Sequence, residues 1–343
     1  MQQPQKKHKN VLKRPIQFLF KWRSFTYYEM ICYIIMYTGA IMFAYGIQPY
    51  TFETIRLVLL TIGTLYSGFF AALIWNDITD KDIDVVVHPT RPIPDKRISQ
   101  VKFFGIALVF SAMTFIFAFL TSVWCLILVG STALFVTFHN KYLKKKVKIP
   151  AYSEIFTPVQ WLTVPLFGFV ALWSTSTVQG GINISLPLLG LLSINRADIL
   201  PMILLVLFTY FADDAHDLSE GIHDVEGDRK SGVKTYATSF GEKTASKISL
   251  LMVIIAGLIG FLLWWMTLLS LIFLIPFIIL WLYTLNRSLI LTRPTEDMRR
   301  RQQAKAVGKA QYDFLLFSYS FIFLDVFIQL LNATYLHWVT GII

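Results

Sequence analysis

Nine apolar runs, each about as long as a bilayer's hydrocarbon core is thick, govern what this 343-residue chain can fold into. They fall near 28–47, 54–76, 101–119, 121–138, 154–173, 198–213, 248–266, 268–286 and 313–336. A backbone inside hydrocarbon must satisfy its own N–H and C=O groups, so these runs are read as transmembrane helices. Composition agrees: 55% of the residues are hydrophobic and only 15% charged, far too apolar for an ordinary soluble domain. The expected fold is an all-α polytopic membrane protein, with about nine transmembrane helices around a central cavity and a cytoplasmic cap from the 2–3 and 6–7 loops. One transmembrane domain is expected over residues 1–343, with 1–27 as a basic cytoplasmic or interfacial segment.

The basic residues orient the bundle. Of the 31 Lys and Arg, 29 fall in segments 1–27, 76–102, 139–149, 213–247 and 286–312, and only Arg56 and Arg196 lie elsewhere. The positive-inside rule then places the N-terminus in the cytoplasm and the C-terminus outside. Loop topology and anionic lipid explain the net charge of +10, so the bilayer is the expected partner and nucleic acid is not. Pro15 to Arg23 is amphipathic and reads as an interfacial helix, and the long apolar run after it is unlike a cleaved signal peptide. Cys32 and Cys125 lie in different runs and offer neither a disulfide framework nor a thiolate metal site. The outer segment 174–197 is mildly apolar and reads as including a surface-lying helix; Asn183-Ile184-Ser185 within it matches a glycosylation acceptor.

Two acid clusters carry the chemistry. In Asn76-Asp77-Ile78-Thr79-Asp80-Lys81-Asp82-Ile83-Asp84, drawn as one helix from Leu59, the carboxylates of Asp77, Asp80 and Asp84 fall within about 60° of one another, and Asp82 points away. Like charges this close repel unless a cation lies between them, and oxygen-only donors favour Mg²⁺ or Ca²⁺ over zinc. Similarly, Asp213, Asp217, Glu220, Asp224 and Asp228 share a stripe about 80° wide if one helix carries them, with Gly221 and Gly227 as candidate breaks. The clusters end the second and sixth spans with the same polarity, which suggests an internal repeat of four-helix units plus one extra helix. Together they would form a cage for metal and diphosphate.

Cations for an anionic substrate are available on the same face at Arg91, Lys96, Arg97, Lys144 to Lys146, Lys230 and Lys234. Arg91 leads, because a turn stiffened by Pro89, Pro92 and Pro94 holds a guanidinium that can bind phosphate oxygens in bidentate fashion. A departing allylic diphosphate would leave a carbocation that needs a dry, electron-rich cavity, and Trp75 is a candidate wall residue. His216 and His223 lie within the second cluster and read as loop polarity, with a general-base role as the alternative.

At these residues the chain resembles the UbiA superfamily of intramembrane prenyltransferases. Asn76-Asp77-x-x-Asp80-x-x-x-Asp84 matches its NDxxDxxxD motif, and Arg91-Pro92-Ile93-Pro94-x-x-Arg97-Ile98-Ser99 is similar to the RPIPxGRIS extension of its archaeal-lipid and quinone branches. Asp224-x-x-Gly227-Asp228-x-x-x-Gly232-x-x-Thr235 resembles DxxGDxxxGxxT, and Tyr142-Leu143-Lys144 resembles the basic signature after the fourth helix. The resemblance implies that Asp77, Asp80, Asp84, Asp224 and Asp228, with Asp217 as a further candidate, bind two Mg²⁺ ions. Asn76, Arg91, Lys144, Lys230 and Lys234 would bind the prenyl diphosphate. The implied reaction moves the polyprenyl group to a lipophilic acceptor, a quinone-precursor aromatic or an archaeal-type glycerophosphate lipid. Two positions depart from the pattern: His216 and Glu220 stand where many aromatic-acceptor members have Tyr and Lys, and Arg23-Ser24 replaces the usual Arg-Pro. A terpene cyclase of the same family and a cation-coupled transporter are the alternatives, though acids at helix ends and not at the midplane argue against transport.

Overall fold

The computed structural model describes residues 26–48, 50–87, 89–176 and 181–340, without the side chains of residues 83, 86, 87, 145 and 335–340. The expected interfacial helix at Pro15 to Arg23 and the Arg23-Ser24 pair lie outside the described residues.

Among the described residues, nine helices are long and apolar enough to cross a membrane. They are α1 (Tyr27–Tyr45), α2 (Phe52–Thr79), α4 (Gln100–Thr121), α5 (Val123–Leu143), α6 (Tyr152–Thr175), α7 (Arg196–His223), α10 (Glu242–Met266), α11 (Leu271–Thr292) and α12, which spans within Asp297–Thr340. Short helices α3 (Lys81–Val87), α8 (Val225–Ser231) and α9 (Tyr236–Phe240) fill the connections that carry the acids. Local chemistry marks the starts: Thr26, Thr51, Ser99, Ser122, Asn195 and Ser270 each accept a backbone N–H from the first turn of the helix that follows. Inside the bundle, small residues let backbones approach closely. A Cβ on Gly168 of α6 would stand 2.9 Å from the Ala40 carbonyl oxygen of α1.

The structure differs from the sequence expectation in four places. The sixth span does not end at Asp213; α7 runs to His223, because Leu218 and Ile222 continue its buried face. The last helix begins at Asp297, well before residue 313, so its first turns are polar. Among its described residues the outer segment forms no surface-lying helix but an antiparallel hairpin, β1 (Ile182–Leu186) with β2 (Gly190–Ile194). Its Ile-Asn-Ile-Ser-Leu alternation has the period of a strand, and Leu188 and Gly190, at φ 69° and 78°, turn the corner. The Asn183 side chain accepts a hydrogen bond from Ser193 at 2.7 Å.

The fourth difference concerns both acid clusters. Neither lies on one continuous helix, and neither break falls on a glycine. The helix pauses at Asp80 (φ −96°, ψ 8°) and again at Asp224 (φ −94°, ψ 7°), while Gly221 and Gly227 lie inside α7 and α8. Each break follows a 28-residue span and is bonded alike: Asp80 N–H donates to Asn76 O and Asp84 N–H to Asp80 O, as Asp224 N–H does to Glu220 O and Asp228 N–H to Asp224 O. The two acid turns are thus built alike.

The spans alternate, so Ser99 at the start of α4 and Leu188 at the hairpin tip, 98% exposed, lie at opposite ends of the bundle. Cys32 and Cys125 are buried. With the basic bias setting the hand, an impermeant maleimide added to sealed, right-side-out membranes is expected to label Leu188→Cys and spare Ser99→Cys until the membrane is opened. Labelling of both from one side would remove a span.

Candidate active site

The first acid turn closes around Arg91. Asp77 and Asp84 are almost fully buried, Asp80 is half-buried and Asp82 is exposed, the division expected from the stripe. The Arg91 guanidinium donates from Nη1 to both carboxylate oxygens of Asp84, at 2.7 and 2.8 Å, and that nitrogen is 3.4 Å from Asp77 Oδ1. Backbone bonds from Asp95 to Arg91, Lys96 to Ile93 and Arg97 to Pro92 hold the turn that presents it. Arg91 therefore compensates two buried carboxylates of its own motif.

The second acid turn is held from two sides. Glu154, buried at the start of α6, accepts the backbone N–H of Tyr236, and Ser153 N–H donates to Lys234 O at 3.0 Å. Gly221 makes room for this: a Cβ there would stand 1.9 Å from Glu154 Oε1. From the other side, Arg301 of α12 bonds Glu226 of α8 and, at 2.7 Å, Glu242 of α10. Gly232, at φ 74°, ends α8 in the left-handed conformation that a side chain would strain. Burial pushes the Asp228 carboxyl up to about 6, against the pull of Lys144 and with the push of Asp224, a balance that a bound cation would reverse.

A polar cavity of about 210 Å³ joins the two halves. Asn76 contributes from the first motif, Asp217 and Glu220 from α7, and Lys144 from the position just after the π-turn that ends α5. Of the sequence-predicted site residues, Asn76, Lys144 and Asp217 thus line one cavity, whereas Asp77, Asp80, Asp84, Asp224 and Asp228 lie outside its lining; Lys230, in α8, is exposed and Lys234, in the loop after it, is half-buried. Through Asn76, Asn140 and Gln160 the space continues into a cavity of about 650 Å³ between α2, α4, α5 and α6, walled by aromatic and aliphatic groups that include Phe69, Trp75 and Trp161. Trp75 does line it, with its indole N–H donating to Ser111 at 3.0 Å.

Sequence reasoning missed several members. Glu154, His139 and Gln160 sit in apolar context with no motif around them, and only their polarity within a span marks them. His216 is not in a loop: it is a helical residue whose Nδ1 faces Gly308 O at 3.0 Å.

The donors of both acid turns are oxygens, which suits a hard divalent ion such as Mg²⁺. Fold and site define an integral, multi-pass helical membrane protein with two acid turns and a polar cavity that opens into an apolar one. The chain belongs to the UbiA prenyltransferase family, which it matches over residues 33–310, and is a membrane prenyltransferase. It is 28% identical to the digeranylgeranylglyceryl phosphate synthase of Saccharolobus solfataricus over 251 residues, 71% of this chain and 79% of that protein. The apo structure of a UbiA homologue from Aeropyrum pernix K1 is similar with a TM-score of 0.63 at 16% identity, covering 89% of this chain and 99% of that one. A UbiA homologue from Archaeoglobus fulgidus, solved bound to GPP and Mg²⁺, is similar with a TM-score of 0.50 at 13% identity, covering 89% and 99%.

Gly221→Ala is expected to force the Glu154 carboxylate off Tyr236 and to cost about 1–3 kcal/mol by overpacking. Thermal unfolding of the purified protein in detergent would read this as a lowered midpoint; an unchanged midpoint would mean that Glu154 does not need the space.

Proposed function

We propose that this chain, as a single transmembrane domain, transfers a polyprenyl group from its diphosphate to the hydroxyl of a glycerophosphate lipid at the cytoplasmic membrane surface. The observation that carries the reading is the continuity of the polar cavity with the apolar one, with Asn76 of the first motif, Lys144, and Asp217 and Glu220 of α7 in the polar wall. Asp77, Asp80, Asp84, Asp224 and Asp228 are assigned as ligands of two Mg²⁺ ions. The relative from Archaeoglobus fulgidus, which binds GPP with Mg²⁺, supports that metal. When bound, the metal supplies charge stabilisation for the departing diphosphate.

The chain's own groups do the rest. Arg91, Lys144, Lys230 and Lys234, with Asn76, bind and orient the diphosphate. The allylic C–O bond breaks with its electron pair leaving on the diphosphate, a C–O bond to the acceptor hydroxyl forms, and that hydroxyl's proton goes to water or the leaving group. The apolar cavity excludes water, and the rings of Phe69, Trp75 and Trp161 offer electron-rich faces to developing positive charge. The similarity to digeranylgeranylglyceryl phosphate synthases favours the glycerophosphate lipid over an aromatic acid.

Each of Asp77→Asn, Asp80→Asn and Asp84→Asn is expected to lower turnover by at least about 10²-fold, or roughly 2.7 kcal/mol of transition-state stabilisation, while Asp82→Asn stays close to wild type. Product masses from purified enzyme given geranylgeranyl diphosphate with geranylgeranylglyceryl phosphate or a hydroxybenzoate decide the acceptor. A prenylated benzoate as the main product would overturn the lipid assignment, and a cyclised hydrocarbon would overturn transfer itself.

A further inference from the structure

We propose that His216, Asp217 and Glu220 hold a divalent transition-metal ion in the wall of the polar cavity, at a site separate from the oxygen-only acid turns. The three residues follow one another on α7 at i, i+1 and i+4, and one donor atom from each lies within 4.8 Å of the others. Asp217 and Glu220 line the cavity.

The imidazole is already set for the task. Gly308 O can only accept, so the contact at 3.0 Å puts the proton on Nδ1 and leaves Nε2 of the neutral ring with a lone pair. Nε2 lies 3.7 Å from Glu220 Oε1, on a side chain 62% exposed: too far for a direct hydrogen bond and close enough for both atoms to share one cation. Donating the far ring N–H to a backbone carbonyl is how metal-bound histidines are generally oriented.

A second, independent observation points the same way. Asp213, one turn deeper on the same face, is 1% exposed, and neither of its carboxylate oxygens has a hydrogen-bond partner; buried Asp217 Oδ2 has none either. A single proton on His216 would leave the acids around it uncompensated, whereas a divalent ion neutralises Asp217 and Glu220 together. Lys144 shares the cavity but forms no ion pair with either among the described residues. One nitrogen and two carboxylate oxygens suit Mn²⁺, Fe²⁺ or Zn²⁺ better than Mg²⁺. Three protein ligands leave coordination positions open to the cavity for water or an anionic oxygen.

The site stands or falls independently of the prenyl-transfer reading, because metal binding reports it without turnover. Metal-free protein in nanodiscs, supplied with excess Mg²⁺ to fill the acid turns, is titrated with Mn²⁺ and read by pulsed electron paramagnetic resonance. The expected result is Mn²⁺ that Mg²⁺ does not displace, with a directly bonded ¹⁴N coupling that changes when histidine is ¹⁵N-labelled. His216→Ala should lose the coupling and His223→Ala should keep it. A purely oxygen-coordinated signal in the wild type would overturn the proposal and leave His216 as a protonated partner of Glu220. So would a coupling that survives His216→Ala or disappears in His223→Ala. Should His216→Ala not fold, as judged by size exclusion, the wild-type spectrum with labelled histidine decides alone.

Discussion

Like charges have to be held together at the edge of a hydrocarbon phase, and the rest of the structure is arranged around that difficulty. Carboxylates at adjacent helix ends repel, and burial makes the repulsion worse. The chain meets the problem with one device used twice, a helix that pauses at an aspartate and resumes after a single non-helical residue. The pause keeps the backbone hydrogen-bonded on both sides while it redirects the acids, so neither turn pays for unpaired N–H groups in a region poor in water.

The two copies of that device are compensated differently. Arg91 reaches back from its proline-stiffened turn to Asp77 and Asp84, so the first cluster carries its own counter-charge. The second is braced mechanically, by Glu154 under Gly221 and by Arg301 across Glu226 and Glu242, and keeps its deeper acids without partners. One arginine against three carboxylates leaves the first cluster net negative, so both halves of the site keep a demand for external positive charge.

Much of this could be read from the chain. Apolar length located all nine spans, because the bilayer imposes its thickness directly on sequence, and the motifs located both acid turns. The helix ends were less legible. Amphipathic continuation through Leu218 and Ile222 carried α7 ten residues past Asp213, since buried acids do not end a helix whose other face is packed. The hairpin at 182–194 was misread because its alternation is short and sits between membrane spans, where an apolar stretch invites a helical reading. Arg91, Glu154 and His216 were visible as residues but not as partners, because tertiary pairing across 7, 82 and 92 positions leaves no local signal.

The polar contacts inside the bundle are unevenly shared. Gln311 of α12 donates to Ser249 of α10 and Ser288 of α11 and accepts from Ser219 of α7, so four helices of the second half are tied through one amide. Among the described residues α4 and α5 have no such knot, and they are the least enclosed spans, with 22% and 17% of their apolar windows buried against 44% for α7. The polar ties are thus concentrated on one side of the bundle, and the large apolar cavity lies on the other. A hydrocarbon chain lying in that cavity would have α4 and α5, the spans with least protein around them, between it and the surrounding lipid, whereas the acids of α7 lie where four helices are tied together.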